Sequence, residues 1–168
     1  MTNPRRPLRL NVGFLISSPI GTSRDFNFDY EKMRLGEDLT VREFLGTARF
    51  DRTPQGLILQ GQFSAQTDLD CVRCLEGYVH TLKWEVTELY AFDERSVTES
   101  NLFIPDDKQI DLEPLLREYA LLEFPISPIC KPDCKGLCPV CGENLNQTDC
   151  GHRPEFDSPF SVLKDLLK

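Results

Sequence analysis

Five cysteines and one histidine fall between residues 130 and 152, in the order C-K-P-D-C-K-G-L-C-P-V-C-G-E-N-L-N-Q-T-D-C-G-H. Cysteines packed as small hydrophobes have no reason to cluster this way, so the segment reads as a set of metal ligands. Cys138, Pro139, Val140, Cys141 and Gly142 form a knuckle. Two thiolates two residues apart can share one ion, and the glycine permits the tight turn that aims backbone N–H groups at the sulfurs. Cys150 and His152 supply a second close pair after a spacer holding the turn-prone Asn144 and Asn146. Three thiolates and one imidazole in two pairs suit tetrahedral Zn(II), and the first expected site is Cys138, Cys141, Cys150 and His152. Iron in a rubredoxin-like site would want a second knuckle of four cysteines in all, and His152 favours zinc.

Upstream, D-C-V-R-C-L-E-G carries another pair, Cys71 and Cys74. With Cys130 and Cys134 they would complete a second set, so that one zinc is expected at the first site and this set offers room for a second. The alternatives are one site recruiting a different foursome, or Cys71 and Cys74 as reduced core thiols. A redox role is disfavoured because thioredoxin-type pairs open a helix in a strand–helix unit and this pair lies near a strand end. Seven cysteines, an odd number, would strand one thiol in a disulfide framework. A reducing, cytoplasmic setting is the expectation.

The N-terminus does not read as an export signal. Arg5 and Arg6 precede Val12, Phe14, Leu15 and Ile16, but Arg9 and Asn11 interrupt the run and no small-residue cleavage site follows. Leu8, Leu10, Val12, Phe14 and Ile16 alternate instead, which predicts a first strand. No stretch approaches the roughly 20 apolar residues of a spanning helix, so a soluble chain is expected.

Period-two alternation continues to about residue 92 through Phe26, Phe28 and Tyr30, then Phe44, Ala48 and Phe50, then Leu57, Leu59 and Phe63 after a turn at Asp51 to Gly56. Tyr78, Leu82, Trp84, Val86 and Tyr90 share one face of a long strand. Short connections imply antiparallel pairing. Residues 93–110 read as polar and irregular. A helix is predicted over about 111–123 from Leu112, Leu115, Leu116, Tyr119 and Leu122, with Asp111 as N-cap and Pro114 in the first turn. A second helix is predicted near the end, with Ser158 as cap, Pro159 at its first position and Phe160, Leu163, Leu166 and Leu167 on one face. The expected fold is α+β: a mainly antiparallel sheet or partly closed barrel with two short helices covering it. Residues 1–125 form the sheet domain and 126–168 the cysteine-rich segment with its terminal helix.

The net charge of −8 argues against simple electrostatic attraction to nucleic acid. Between Glu85 and Glu123 stand eleven acidic residues and three basic ones, so this segment alone accounts for the chain's net charge. It is a solvated face or a docking surface for a basic partner such as a ribosomal protein. Lys131, Lys135 and Arg153 surround the cysteines and are the candidates for a contact with RNA. Catalysis has little support. A catalytic zinc keeps an open position and a nearby carboxylate, whereas His152 is followed by Arg153 and Pro154, with Glu155 too late for the deaminase pattern. His80, on a strand beside Leu82, reads as an ordinary sheet residue.

Together the strand-rich first part, D-C-V-R-C-L-E, the acidic linker, P-I-C-K-P-D-C-K-G-L-C-P-V-C-G-E-N-L-N and the closing D-S-P-F-S-V-L-K-D-L-L resemble the YceD family of large ribosomal RNA accumulation proteins. The resemblance implies a non-catalytic role in accumulation or processing of large-subunit ribosomal RNA and ribosome assembly, in the cytoplasm. The implied partner is an rRNA precursor or a basic ribosomal protein, with no small-molecule substrate. It also implies that metal stabilises the C-terminal part without performing the shared function, since some members lack the cysteine block. His152 stands where cysteine is common in the family. The competing readings are a zinc-dependent hydrolase or nuclease, and a thiol redox sensor.

Overall fold

The computed structural model of the chain describes residues 6–152. These divide into two compact units, one of residues up to 68 with 79–126, the other of 69–78 with the residues from 127 onward.

The first unit is built on four consecutive strands, β2 (Ser23–Leu35), β3 (Leu39–Arg52), β4 (Gly56–Asp70) and β5 (Gly77–Ala91), hydrogen-bonded in that order. Short β1 (Arg9–Asn11) pairs antiparallel with β6 (Gln109–Asp111) as a separate two-stranded sheet. Helix α1 (Gly13–Ile16) follows β1, and α2 (Glu113–Leu122) follows β6. The sheet is mostly antiparallel and open. Among the described residues no pairing joins β2 to β5, so the partly closed barrel considered from the sequence is not formed; four strands are too few to close around a core.

Alternation puts Phe28, Phe44, Ala48, Phe50, Leu57, Leu59, Phe63, Leu82, Trp84 and Val86 on one buried face. Each large side chain removed from water there contributes about 1.5–3 kcal/mol. The face is aromatic at its centre, with Phe63 stacked on Trp84 at 5.8 Å and Phe44 at 5.9 Å from Phe63. Gly46, opposite Phe63 across β3 and β4, has room for no side chain: a Cβ there would lie 2.2 Å from the Phe63 ring. A bulge lies between Arg42 and Leu45, where Glu43 takes φ +48°. It switches the inward set of β3 from Leu39 and Val41 to Phe44, Ala48 and Phe50, keeping both on the core side.

Leu115, Leu116 and Ala120 of α2 join this core. The N-cap is Leu112, which offers no side-chain cap, and not Asp111 as the sequence suggests; Asp111 stands one residue earlier, in β6, where its Oδ1 accepts the backbone N–H of Glu113 at 3.0 Å, and Pro114 sits in the first turn. Arg117 grips Asp38 with two hydrogen bonds of 2.8 and 2.6 Å.

Two further local expectations need correction. The alternating run 8–16 is a strand only over Arg9–Asn11; Asn11 Oδ1 accepts the Gly13 N–H at 2.9 Å and starts α1, after which Leu15 is buried and Phe14 is exposed. Side-chain capture of the backbone by asparagine ends the strand. The 93–110 stretch is irregular as expected except at Gln109 and Ile110, which open β6, and it places Leu102 and Ile104 against the core. The helix predicted around residues 158–167 lies outside the described residues. Among the described residues no helix is long and apolar enough to cross a membrane.

Candidate metal centres

Among its described residues the second unit has almost no apolar core. Its buried cluster is Cys71, Cys74 and Cys134, with Tyr78, Ile129 and Cys130 packed beside them. Such a cluster removes too little apolar surface from water to order the loops around it.

The backbone arranges the cysteines through two turns of one design. In the first, Leu75 N–H donates to the Cys71 carbonyl at 2.9 Å; in the second, Gly142 N–H donates to the Cys138 carbonyl at 2.9 Å. Both closing residues are left-handed, Leu75 at φ +58° and Gly142 at φ +75°. The glycine adopts this freely, while the leucine does so at a cost. Val72 N–H to Pro128 O at 2.9 Å and Leu137 N–H to Arg73 O at 3.0 Å sew the first turn to the 127–152 segment. Gly136 packs so closely on Arg73 that a Cβ would lie 3.1 Å from its carbonyl oxygen.

The result is two foursomes. Cys71, Cys74, Cys130 and Cys134 bring their sulfurs within 4.8 Å of one another, and so do the ligand atoms of Cys138, Cys141, Cys150 and His152. In the first, Cys71 and Cys134 are 3.8 Å apart and Cys74 and Cys130 are 3.7 Å apart. Those separations are nearly twice a disulfide bond. Four sulfurs about 2.3 Å from one tetrahedral centre stand about 3.8 Å from each other, so these two separations are compatible with one shared metal ion. The sets differ in exposure: three of the four cysteines in the first are buried, whereas Cys141 and His152 of the second are exposed.

The electrostatics of the thiols agrees with this. Burial opposes ionisation of Cys71, but N–H groups of Cys130, Cys74 and Arg73 outweigh it and bring the thiol down to about 6. Cys138 is brought to about 6 by the N–H groups of Cys141 and Val140. The Asn146 side-chain amide, 3.4 Å from Cys134 Sγ, lowers that thiol. Cys130 is pushed up to about 12 by burial and by the neighbouring Cys74, Cys134 and Cys71. Thiolates gathered this closely repel each other, and a cation at their centre removes the conflict. Both clusters could hold a metal ion.

Asn146 was assigned only to the spacer by sequence reasoning. Its Oδ1 also accepts the Lys135 N–H at 2.9 Å, and its amide bonds Asn144 Oδ1 at 2.9 Å. The N-L-N pattern between ligand pairs is the signal that marks it. His80 lies in β5 of the sheet.

A mostly antiparallel sheet protein with two sulfur-rich, four-ligand clusters is the class that fold and site define. The chain belongs to the YceD family: the model of the large ribosomal RNA subunit accumulation protein YceD matches residues 59–167, more than half of the chain. An uncharacterised protein of Mycobacterium tuberculosis is 35% identical over 124 residues, covering 71% of this chain and 59% of its own length. This chain thus spans less than two thirds of that relative. Chloroplastic proteins named large ribosomal RNA subunit accumulation protein YCED homolog 1 are similar over shorter regions. The Zea mays protein is 41% identical over 63 residues, covering 37% of this chain and 22% of its own, and the Arabidopsis thaliana protein 42% over 66, covering 38% and 20%. No solved structure matches the chain significantly.

Proposed function

We propose that this chain is a non-catalytic factor for accumulation or processing of large-subunit ribosomal RNA, acting in ribosome assembly by binding, with structural zinc in its cysteine unit. The observation that carries the reading is the convergence of two complete four-ligand sets. Cys71, Cys74, Cys130 and Cys134 would hold one ion, and Cys138, Cys141, Cys150 and His152 the other. The ion supplies charge neutralisation and a cross-link that a unit with so small a core lacks. Four protein ligands fill a tetrahedral shell, which leaves no position for the water that a zinc hydrolase or nuclease activates. A redox sensor is disfavoured because Cys71 and Cys74 each stand against a thiol of the other pair, Cys134 at 3.8 Å and Cys130 at 3.7 Å, and are not set apart as a pair of their own.

The ribosomal part of the proposal follows the family and the names of its plant relatives. Action in the cytoplasm suits a protein whose thiols must stay reduced to ligate metal. Its partner would be a large-subunit rRNA precursor or a basic ribosomal protein, with the acidic 85–123 segment as docking surface. Several acids of that segment are engaged internally, Asp107 by Arg9 at 2.5 Å, Glu113 by the Gly36 N–H at 3.0 Å and Glu88 by the Tyr119 hydroxyl at 2.6 Å, which narrows where a partner can bind.

The test is a host strain depleted of the protein, together with metal analysis of the purified chain. Reduced large-subunit RNA, co-sedimentation with large-subunit precursors and two zinc ions per chain are expected. Normal RNA levels and ribosome profiles in the depleted strain would remove the ribosomal reading.

A further inference from the structure

Helix α2 buries Leu115, Leu116 and Ala120, but its last turn leaves Leu121 39% and Leu122 76% exposed. These two leucines border a groove of about 540 Å³ whose other walls are Gly36, Glu113, Pro114, Arg117 and Glu118. Single exposed leucines are ordinary; two in sequence along a groove are the kind of apolar surface that partners cover. The charge around them is one-sided. The last turn of α2 contains no basic residue, and Glu123 at the C-cap adds a full negative charge to the partial one of the helix carbonyls. A helix end left to itself is stabilised by the opposite sign. Arg117, the cation in the groove wall, is held by Asp38, while Glu118 has no ion-pair partner among the described residues. Glu118 and Pro114 also line the adjoining groove, where Asp106 and Asp111 stand with Arg6 and with Arg9, which is paired to Asp107.

We infer that the C-terminal end of α2 docks a lysine- or arginine-rich amphipathic segment of a protein partner. Its apolar side chains cover Leu121 and Leu122, and its cations face Glu118, Glu123 and the α2 carbonyls. The inference rests on reading the chain as a binding factor and names the surface which that binding uses. RNA is disfavoured here because its phosphates meet the same carboxylates. A symmetric pairing of the patch with itself would set like charges against each other.

The test is calorimetric titration of the full, zinc-loaded chain with a synthetic amphipathic peptide of roughly 16 residues bearing lysine and leucine at helical spacing, beside a counterpart with glutamate for lysine. Expected is saturable binding of the lysine peptide alone, weakened about tenfold between about 0.05 and 0.2 M salt. Leu122→Glu should abolish it and Glu118→Lys weaken it about tenfold, with unchanged circular dichroism. Equal binding by the variants, binding of the glutamate peptide, or self-association that Leu122→Glu removes would each overturn the proposal. Complementation separates it from the ribosomal reading. If depletion lowers large-subunit RNA and the Leu122→Glu chain restores it fully, the docking surface is wrong and the ribosomal role stands. If depletion changes nothing while peptide binding behaves as expected, the surface stands and the ribosomal role fails.

Discussion

The side-chain amide of Asn146 donates to Cys134 Sγ at 3.4 Å while its own oxygen accepts the Lys135 N–H at 2.9 Å. One residue, carried on the loop between Cys141 and Cys150, thereby orients a sulfur of the other foursome. Donors of this kind steady a ligand and temper its charge. Asn146→Ala should weaken metal retention at the four-cysteine set about 10–100-fold in a chelator competition. Asn146→Asp should be worse, because a carboxylate beside a thiolate replaces attraction by repulsion. Equal retention in all three proteins would deny Asn146 this role.

Metal removal should act on one unit. Among the described residues the cysteine unit has a cluster of three thiols for its interior, whereas the sheet unit has Phe44, Phe50, Leu57, Leu59 and Leu82 fully enclosed. A strong chelator should open amides of residues 69–78 and 127–152 to hydrogen exchange while those of β3 and β4 stay protected. Uniform protection before and after chelation would exclude a structural metal.

Leu75 holds φ +58° with 68% of its surface exposed, so its side chain returns little for the strained backbone. Glycine occupies the matching place in the other turn, at Gly142. Leu75→Gly should therefore raise the stability of the metal-loaded protein by about 0.5–1 kcal/mol, the gain from relaxed backbone less the entropy of an unfolded glycine. Urea unfolding measures it, and a loss of stability would assign the leucine a packing role.

Two groups of the sheet unit link its stability to pH in opposite directions. The Arg117 guanidinium hydrogen-bonded to Asp38 holds that carboxyl below the usual range. Its contribution is present above the unfolded value of about 3.9 and disappears as pH falls through the lower folded value. Asp38→Asn should flatten the acid limb of a stability–pH curve, and salt should blunt the difference because both side chains are exposed.

Tyr119 gives the alkaline counterpart. Its hydroxyl donates to Glu88 at 2.6 Å, and that bond, with burial and the charge of Glu88, pushes it up to about 12. The contribution is complete below the unfolded value of about 10 and is lost as pH rises through about 12. Ultraviolet titration should show one late-ionising tyrosine fewer in Tyr119→Phe.

Ligand chemistry and strand faces were legible in the residues themselves. Thiols two apart beside a glycine, an imidazole two residues after a cysteine, the alternation of Leu57, Leu59 and Phe63, and Pro114 in a first helical turn are local patterns whose meaning depends on near neighbours. The second foursome was reached only by counting ligands into sets of four; its convergence in space was not itself legible. Cys71 and Cys134 are 63 residues apart, and only the folded chain brings their sulfurs to 3.8 Å. The same holds for the bulge at Glu43, which depends on what β4 presents opposite, and for the exposed leucines that end α2, which share their spacing with the buried ones. A local sequence states which groups can ligate or pack; the tertiary structure decides which of them meet, because meeting is settled by competition among all the surfaces that the chain can bury at once.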